Sequence, residues 1–150
     1  MAERPDIRLN AEEQTAFLRA NRKAALATLD KDGFPHVTAM NFVARDGAFY
    51  MTSYGKAQKV VNIRRNPKVA IMVETGAAYA ELKGVMVRGL CEIVEGEEAV
   101  RQVFAWSAEA RGETYKRPAA ASDSAPKRVV LKIVPQKTVT WDHSKLGGRY

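Results

Sequence analysis

Asp46-Gly47 separates two runs rich in β-branched and aromatic residues, His36 to Ala44 and Ala48 to Ser53. That dipeptide is the strongest short-range hairpin signal a sequence carries, because the turn needs a left-handed backbone that Asp tolerates and Gly adopts freely. A second turn signal, Asp30-Lys31-Asp32-Gly33, lies between the alternating run Lys23 to Leu29 and the run that begins at His36. An antiparallel three-stranded meander is therefore predicted over 23–53. Strand signals resume at Lys68 to Glu74 and at Ala80 to Glu95, one long strand or a bent pair with Gly84 and Gly89 as kink or bulge points. Arg128 to Val134 and Lys137 to Trp141 read as two more strands broken by Pro135. With so many short strands in a chain of 150 residues, closure into a β-barrel removes the exposed edges; a β-sandwich is the alternative.

Helices are few. Asn10 followed by Glu13 reads as an N-cap with an acidic N3 residue, opening a helix over Ala11 to Asn21. Val60 and Ile63 are three apart and Asn66-Pro67 stops the segment, so Ala57 to Asn66 is a helix. Glu97 to Glu109 is amphipathic, with Val100, Val103, Phe104 and Trp106 as its core face. Arg111 to Lys127 is low in complexity, and Ala119 to Pro126 offers nothing to pack, which predicts a mobile loop or lid; 143–150 is a basic tail. The whole of 1–150 reads as one domain.

Several chemistries lack their residues. The single cysteine, Cys91, cannot form an internal disulfide and lies in the apolar run Val85 to Val94, where a buried structural thiol is expected. His36 and His143 show no metal-ligand spacing, and no nucleophile–base pair or paired carboxylate set is legible, so neither a metal site nor a catalytic residue is assigned. Met1 to Leu9 mixes Glu3, Arg4, Asp6 and Arg8, and no run approaches ~18 apolar residues, so a cytoplasmic chain without membrane contact is expected.

Charge is more informative. Lys and Arg number 24 against 17 Asp and Glu, a net +7. From Gly47 to Val73 there is no carboxylate at all, while Lys56, Lys59, Arg64, Arg65 and Lys68 all fall there. Thr52-Ser53, a glycine turn, Lys56, Lys59 and a helix N-terminus together offer hydroxyls, amides and ammonium groups, a cradle for phosphate. The same residues also read as a solvated helix face. The second acid-free stretch, Ser124 to Trp141, carries Lys127, Arg128, Lys132 and Lys137 and reads as a basic edge strand. If the protein is an enzyme, its reacting group is a bound cofactor held by such a cradle.

The residues Gly33-Phe34-Pro35-His36-Val37, Asp46-Gly47, Thr52-Ser53, Lys59-Val60-Val61-Asn62 and Asn66-Pro67-Lys68-Val69 resemble the pyridoxamine 5'-phosphate oxidase-like, FMN-binding split-barrel superfamily. Ala80 to Val85 and Trp141 to Tyr150 are similar to its flavin/deazaflavin oxidoreductases, many of which use coenzyme F420. The resemblance implies a mainly β (α+β) fold, an antiparallel split β-barrel of six to seven strands with peripheral helices. It also implies a homodimer with cofactors in grooves at the interface. The phosphate site would fall on Thr52, Ser53, Lys56 and Lys59, with Asn62 buttressing the turn. Thr38, Ala39, Met40 and Asn41 would line the ring system, and Trp141 and Lys145 would close over it from the partner subunit. The Arg- and His-containing substrate motif of true pyridoxamine phosphate oxidases is missing, which argues against vitamin B6 oxidation. The polyglutamate tail of F420 tilts a basic groove toward F420 over FMN.

The function so implied is hydride transfer between F420 or FMN and a small, conjugated, planar substrate of quinone, enone or tetrapyrrole type. A backbone amide or Lys145 would steady developing negative charge, and Tyr79 and Tyr115 would border the pocket. Lys59→Ala should weaken cofactor binding far more than Arg101→Ala. The alternatives are a non-catalytic FMN- or haem-binding split-barrel protein and a nucleic-acid-binding barrel. The last is suggested by the +7 charge and by Phe34, Tyr54 and Tyr79, but it lacks an RNP-type aromatic run.

Overall fold

The computed structural model describes residues 3–149. Met1 and Ala2 of the N-terminal segment and Tyr150 of the tail lie outside the described residues. In chain order the main elements are α1 (Ala11–Ala20), β1 (Lys23–Leu29), β2 (Pro35–Asn41), β3 (Val43–Arg45), β4 (Ala48–Tyr54), α2 (Gln58–Arg65), β5 (Lys68–Thr75), β6 (Lys83–Val94), α3 (Glu97–Ala110) and β7 (Arg128–Asp142). Short 3₁₀ turns at Tyr79–Glu81, Ala120–Ser122, Ala125–Lys127 and His143–Leu146 complete the connections.

All seven strands belong to one antiparallel sheet in the order β2-β1-β5-β6-β7-β4-β3. Both expected hairpins form, β1 with β2 and β3 with β4, but the meander breaks between them, and β4 finds its other neighbour in β7. The run expected as one strand, His36 to Ala44, breaks at Phe42, which turns into the core and donates its N–H to Arg22 O. The break has a geometric consequence. Six inter-strand steps of about 4.8 Å would hold the margins of a flat sheet about 29 Å apart. Yet β2 and β3, the two margins, are joined by one residue, which spans no more than about 7 Å. The sheet must therefore curl until its margins meet, and β2 does meet β4 there. No ladder joins β2 to β4 among the described strands, so the result is a curled half-barrel with a split along that line.

Inside the curl lie Leu26, Met51, Ile71, Val73, Val85, Val87, Leu131 and Ile133, all at most 1 % exposed. Val60 and Ile63 of α2 and Phe17 and Leu18 of α1 join this core. A second cluster forms outside, where Val100 and Val103 of α3 pack on Val130 and Ala125. Asn10 caps α1 as expected, with Glu13 returning the bond in a capping box.

Three further expectations change. β7 is one strand, not two: Pro135 stands opposite Gly89 where the β6–β7 register shifts, and there a missing N–H costs no ladder bond. A Cβ at Gly89 would lie 2.6 Å from Val134 O, so glycine lets the strands approach. Gly84 is not a kink; a side chain there would collide with the Trp141 indole, which lies across it. Within 119–126, expected to offer nothing to pack, Ala125 is buried and the Asp123 side chain is covered by Arg101, which also binds Glu97 and Tyr115. Among the described residues no helix is long and apolar enough to cross a membrane.

Candidate functional site

The turn between β4 and α2 is fastened at both ends. Gly55 N donates to Lys127 O at 3.0 Å, tying the turn to the start of β7, and Ala57 N donates to Tyr54 O. Helix α2 then begins without a side-chain cap and without an acidic residue in its first turn. Its first amides therefore face outward with the positive end of the dipole. Lys56 is exposed and Lys59 half-buried beside them.

Asn62 is fully buried and looks into the barrel. Its Nδ2 donates to Thr28 Oγ1 at 3.0 Å, and its Oδ1 accepts from Gln58 Nε2 at 2.8 Å and from Arg65 Nη2 at 3.3 Å. It thus anchors α2 against β1 and positions the helix start from below.

Strand alternation sorts the expected residues by face. Ser53 points inward, 2 % exposed, and its hydroxyl donates to Tyr54 O. Thr52 points outward with Tyr50 and Tyr54, the face on which Tyr50 meets Trp106 of α3. The two hydroxyls of the expected cradle therefore do not converge. On β2, Thr38 and Met40 turn inward and Ala39 and Asn41 outward. Thr38 Oγ1 and its neighbour His36 Nδ1 are buried without a hydrogen-bond partner, both on the margin strand that borders the split. Such groups are costly unless something pairs with them.

Arg128, which the sequence offered only as part of a basic edge strand, stands beside Thr52. Its Nη1 is 3.5 Å from Thr52 Oγ1, its Nε donates to Ser124 Oγ at 3.0 Å, and its guanidinium lies 4.2 Å over the Tyr54 ring. No sequence spacing reveals this approach; it depends on the Tyr54↔Arg128 pairing of β4 with β7.

The outer face of the remaining strands is apolar along one row. Ala39, Ala25, Met72, Met86 and Val139 are direct cross-strand partners on β2, β1, β5, β6 and β7, and Met72 and Val139 are 39 % and 40 % exposed. Trp141 lies on the same face, over Gly84.

The tail folds back on its own chain. Lys145 Nζ donates to Glu13 Oε1 at 2.7 Å and to Arg8 O at 2.8 Å. His143 Nδ1 is 2.7 Å from Tyr79 O, and the two rings lie 4.5 Å apart, tilted by 54°. Tyr115 OH accepts from Arg101. A separate cleft of about 830 Å³ between α1, the β3–β4 hairpin and the end of α3 holds none of the expected site residues.

Residues 11–142 match the family model described as pyridoxamine 5'-phosphate oxidase. Among solved structures, the chain is similar to a conserved hypothetical protein from Mycobacterium tuberculosis. The two share 36% identity over 100% of this chain and 95% of the other, with a TM-score of 0.86. It is also similar to a protein described as an F420 reductase, 27% identical over 83% and 94% of the two chains, TM-score 0.67. An FAD-binding protein from Mesorhizobium loti is 29% identical over 88% and 94%, TM-score 0.66. No curated protein shows a match to the sequence.

Proposed function

This chain belongs to the pyridoxamine 5'-phosphate oxidase-like split-barrel superfamily, and from that premise we propose that it binds a phosphate-bearing flavin or deazaflavin, F420 or FMN. The observation that carries the reading is the acid-free turn from β4 into α2. There the uncapped amides of α2, Lys56 and Lys59 follow Thr52 within a few residues, with no carboxylate between Gly47 and Val73 to compete. Cationic, amide and hydroxyl donors suit a phosphate, and the unpaired Thr38 Oγ1 and His36 Nδ1 suit a polar ligand along the split.

When bound, the cofactor would supply hydride chemistry toward a small, planar, conjugated substrate. The chain's share is to hold and orient it. Lys59 and Lys56 neutralise the phosphate, and Asn62 fixes the helix whose amides face it. Ala39, Asn41 and Trp141 offer a flat outer surface to the ring, and Thr38 and Met40 face the split from within. A second copy, packed through the row Ala39, Ala25, Met72, Met86 and Val139, would exclude water from that surface, and apolar area of this kind suits a homodimer.

A non-catalytic flavin- or haem-binding role is the second reading, and one observation favours it. Lys145, the side chain offered for charge stabilisation, is already engaged with Glu13 and Arg8 within its own chain. Fluorescence titration with F420 and FMN, followed by turnover with a quinone, separates the two. Binding with turnover supports the oxidoreductase, binding alone the carrier, and binding of neither refutes both flavin roles. Lys59→Ala should raise the dissociation constant about tenfold or more, the scale of a lost charge-assisted contact. Arg101 cannot serve as the neutral control, because it is buried in an ion-pair network; Arg19, exposed on α1, replaces it. Equal affinities for Lys59→Ala and Arg19→Ala would remove the phosphate assignment.

A further inference from the structure

Among the described arginines Arg101 is buried and Arg128 half-buried, while the others are exposed. Arg101 is matched by the carboxylates of Glu97 and Asp123. Arg128 is matched by none: its partners are the Ser124 hydroxyl, the Thr52 hydroxyl at a long 3.5 Å, and the face of Tyr54. These contacts aim the guanidinium without neutralising it, and they leave Nη2 with no partner among the described residues. A half-buried cation loses part of its hydration, and neutral neighbours return only some of it.

Position adds to this. Arg128 is the cross-strand partner of Tyr54, and the adjacent Lys127 carbonyl holds the Gly55 turn, so the guanidinium stands beside the outward hydroxyl of Thr52 and the entry to α2. Both surrounding stretches, Gly47 to Val73 and Ser124 to Trp141, lack carboxylates, and the nearest one before them in this loop, Asp123, is taken by Arg101. A planar fork with a spare edge is the donor geometry that takes an oxyanion through two parallel bonds. We propose that Arg128 clamps an oxyanion of the bound ligand against Thr52, a binding role on β7 additional to the lysines of the α2 entry. This rests on the cofactor-binding reading above. The oxyanion is either the phosphate or a carboxylate of a glutamyl tail, and the chemistry is shared.

The test titrates wild type, Arg128→Gln and Arg128→Lys with four fluorescent probes: FMN, riboflavin, F420, and the phosphate-free deazaflavin. Inorganic phosphate is added separately while the melting temperature is followed. Arg128→Gln should weaken the phosphate-bearing member of a pair about tenfold or more and leave the phosphate-free member unchanged, with Arg128→Lys between them. Phosphate should raise the melting temperature of wild type and not that of Arg128→Gln. A loss confined to F420 and proportional to its glutamate number assigns the clamp to the tail carboxylates; a loss shared with FMN assigns it to the phosphate. Equal losses for both members of a pair would reduce Arg128 to a structural role, and undiminished binding would refute the clamp while leaving the cofactor reading intact. If wild type binds no chromophore yet phosphate protects it through Arg128, the cofactor reading falls and the clamp stands. If neither occurs, both fall. Should Arg128→Gln fail to fold, the Arg128→Lys comparison decides alone.

Discussion

Asn62 shows how one polar side chain inside an apolar core sets the position of a site outside it. The Lys-x-x-Asn spacing was visible in the sequence, but its partner was not, because Thr28 lies 34 residues away and is brought close only by β1. Asn62→Leu should lower stability by about 1–3 kcal/mol, since it leaves the Thr28 hydroxyl buried and unpaired. Adding Thr28→Val should recover part of that loss, because both ends of the bond are then apolar; urea unfolding of the two variants measures the difference. Cys91 behaves as its apolar run foretold: it is buried, and burial pushes its thiol up to about 12. The folded chain thus keeps a proton that the unfolded chain releases above the ordinary thiol range. Below that range the thiol has no effect on the folding balance. As pH rises toward about 12 it should cost up to about 1.4 kcal/mol per pH unit. Cys91→Ala should flatten this alkaline decline relative to wild type, and an unchanged slope would contradict the burial argument. Gly84 could be marked only as a special position; that an indole occupies the space of its missing side chain depends on register with Trp141.

Element boundaries followed local chemistry closely, because caps, proline stops and alternation act within a few residues. α1, α2 and α3 stand within a residue or so of the predicted ranges. The turn signals also gave the β1–β2 and β3–β4 hairpins, but long-range pairing did not follow, since nothing local tells β4 to seek β7, which begins at residue 128. The anchor within 111–127 was hidden for the same reason. The segment's alanines and serines carry no periodicity, and its anchor is an ion pair between Asp123 and Arg101 on a different element. Hydrogen bonds from Arg101 hold the Asp123 carboxyl below the usual carboxylate range. Arg101→Ala leaves that carboxylate without its main partner, and a charge so stranded unseats the loop. Trypsin should then cut after Lys116 many times faster than in wild type, while the melting of the barrel changes less; equal cleavage rates would show that the loop is held by something else.

Over the whole molecule, the curled sheet divides the surface into a face covered by α3 and a face left bare. The bare face carries the cross-strand row from Ala39 to Val139, and its exposure in a single chain is the strongest argument for a second copy. Met86→Glu sets a charge in the middle of that row. It should convert a species of twice 16.6 kDa into one of 16.6 kDa in sedimentation, with circular dichroism unchanged; a wild type that already sediments at the single mass would end the dimer proposal. A strongly curled sheet was legible from strand number, but the closed barrel expected from it does not form, and the split was implied only by resemblance. The strand order has one more effect, on how the protein is made. β7 is the last strand to be synthesised, yet it lies between β6 and β4. Until Asp142 clears the ribosome, Phe49 and Met51 on β4 have only three-residue β3 beside them. Assembly of the sheet therefore waits for β7, and the nascent chain needs shielding until that strand emerges.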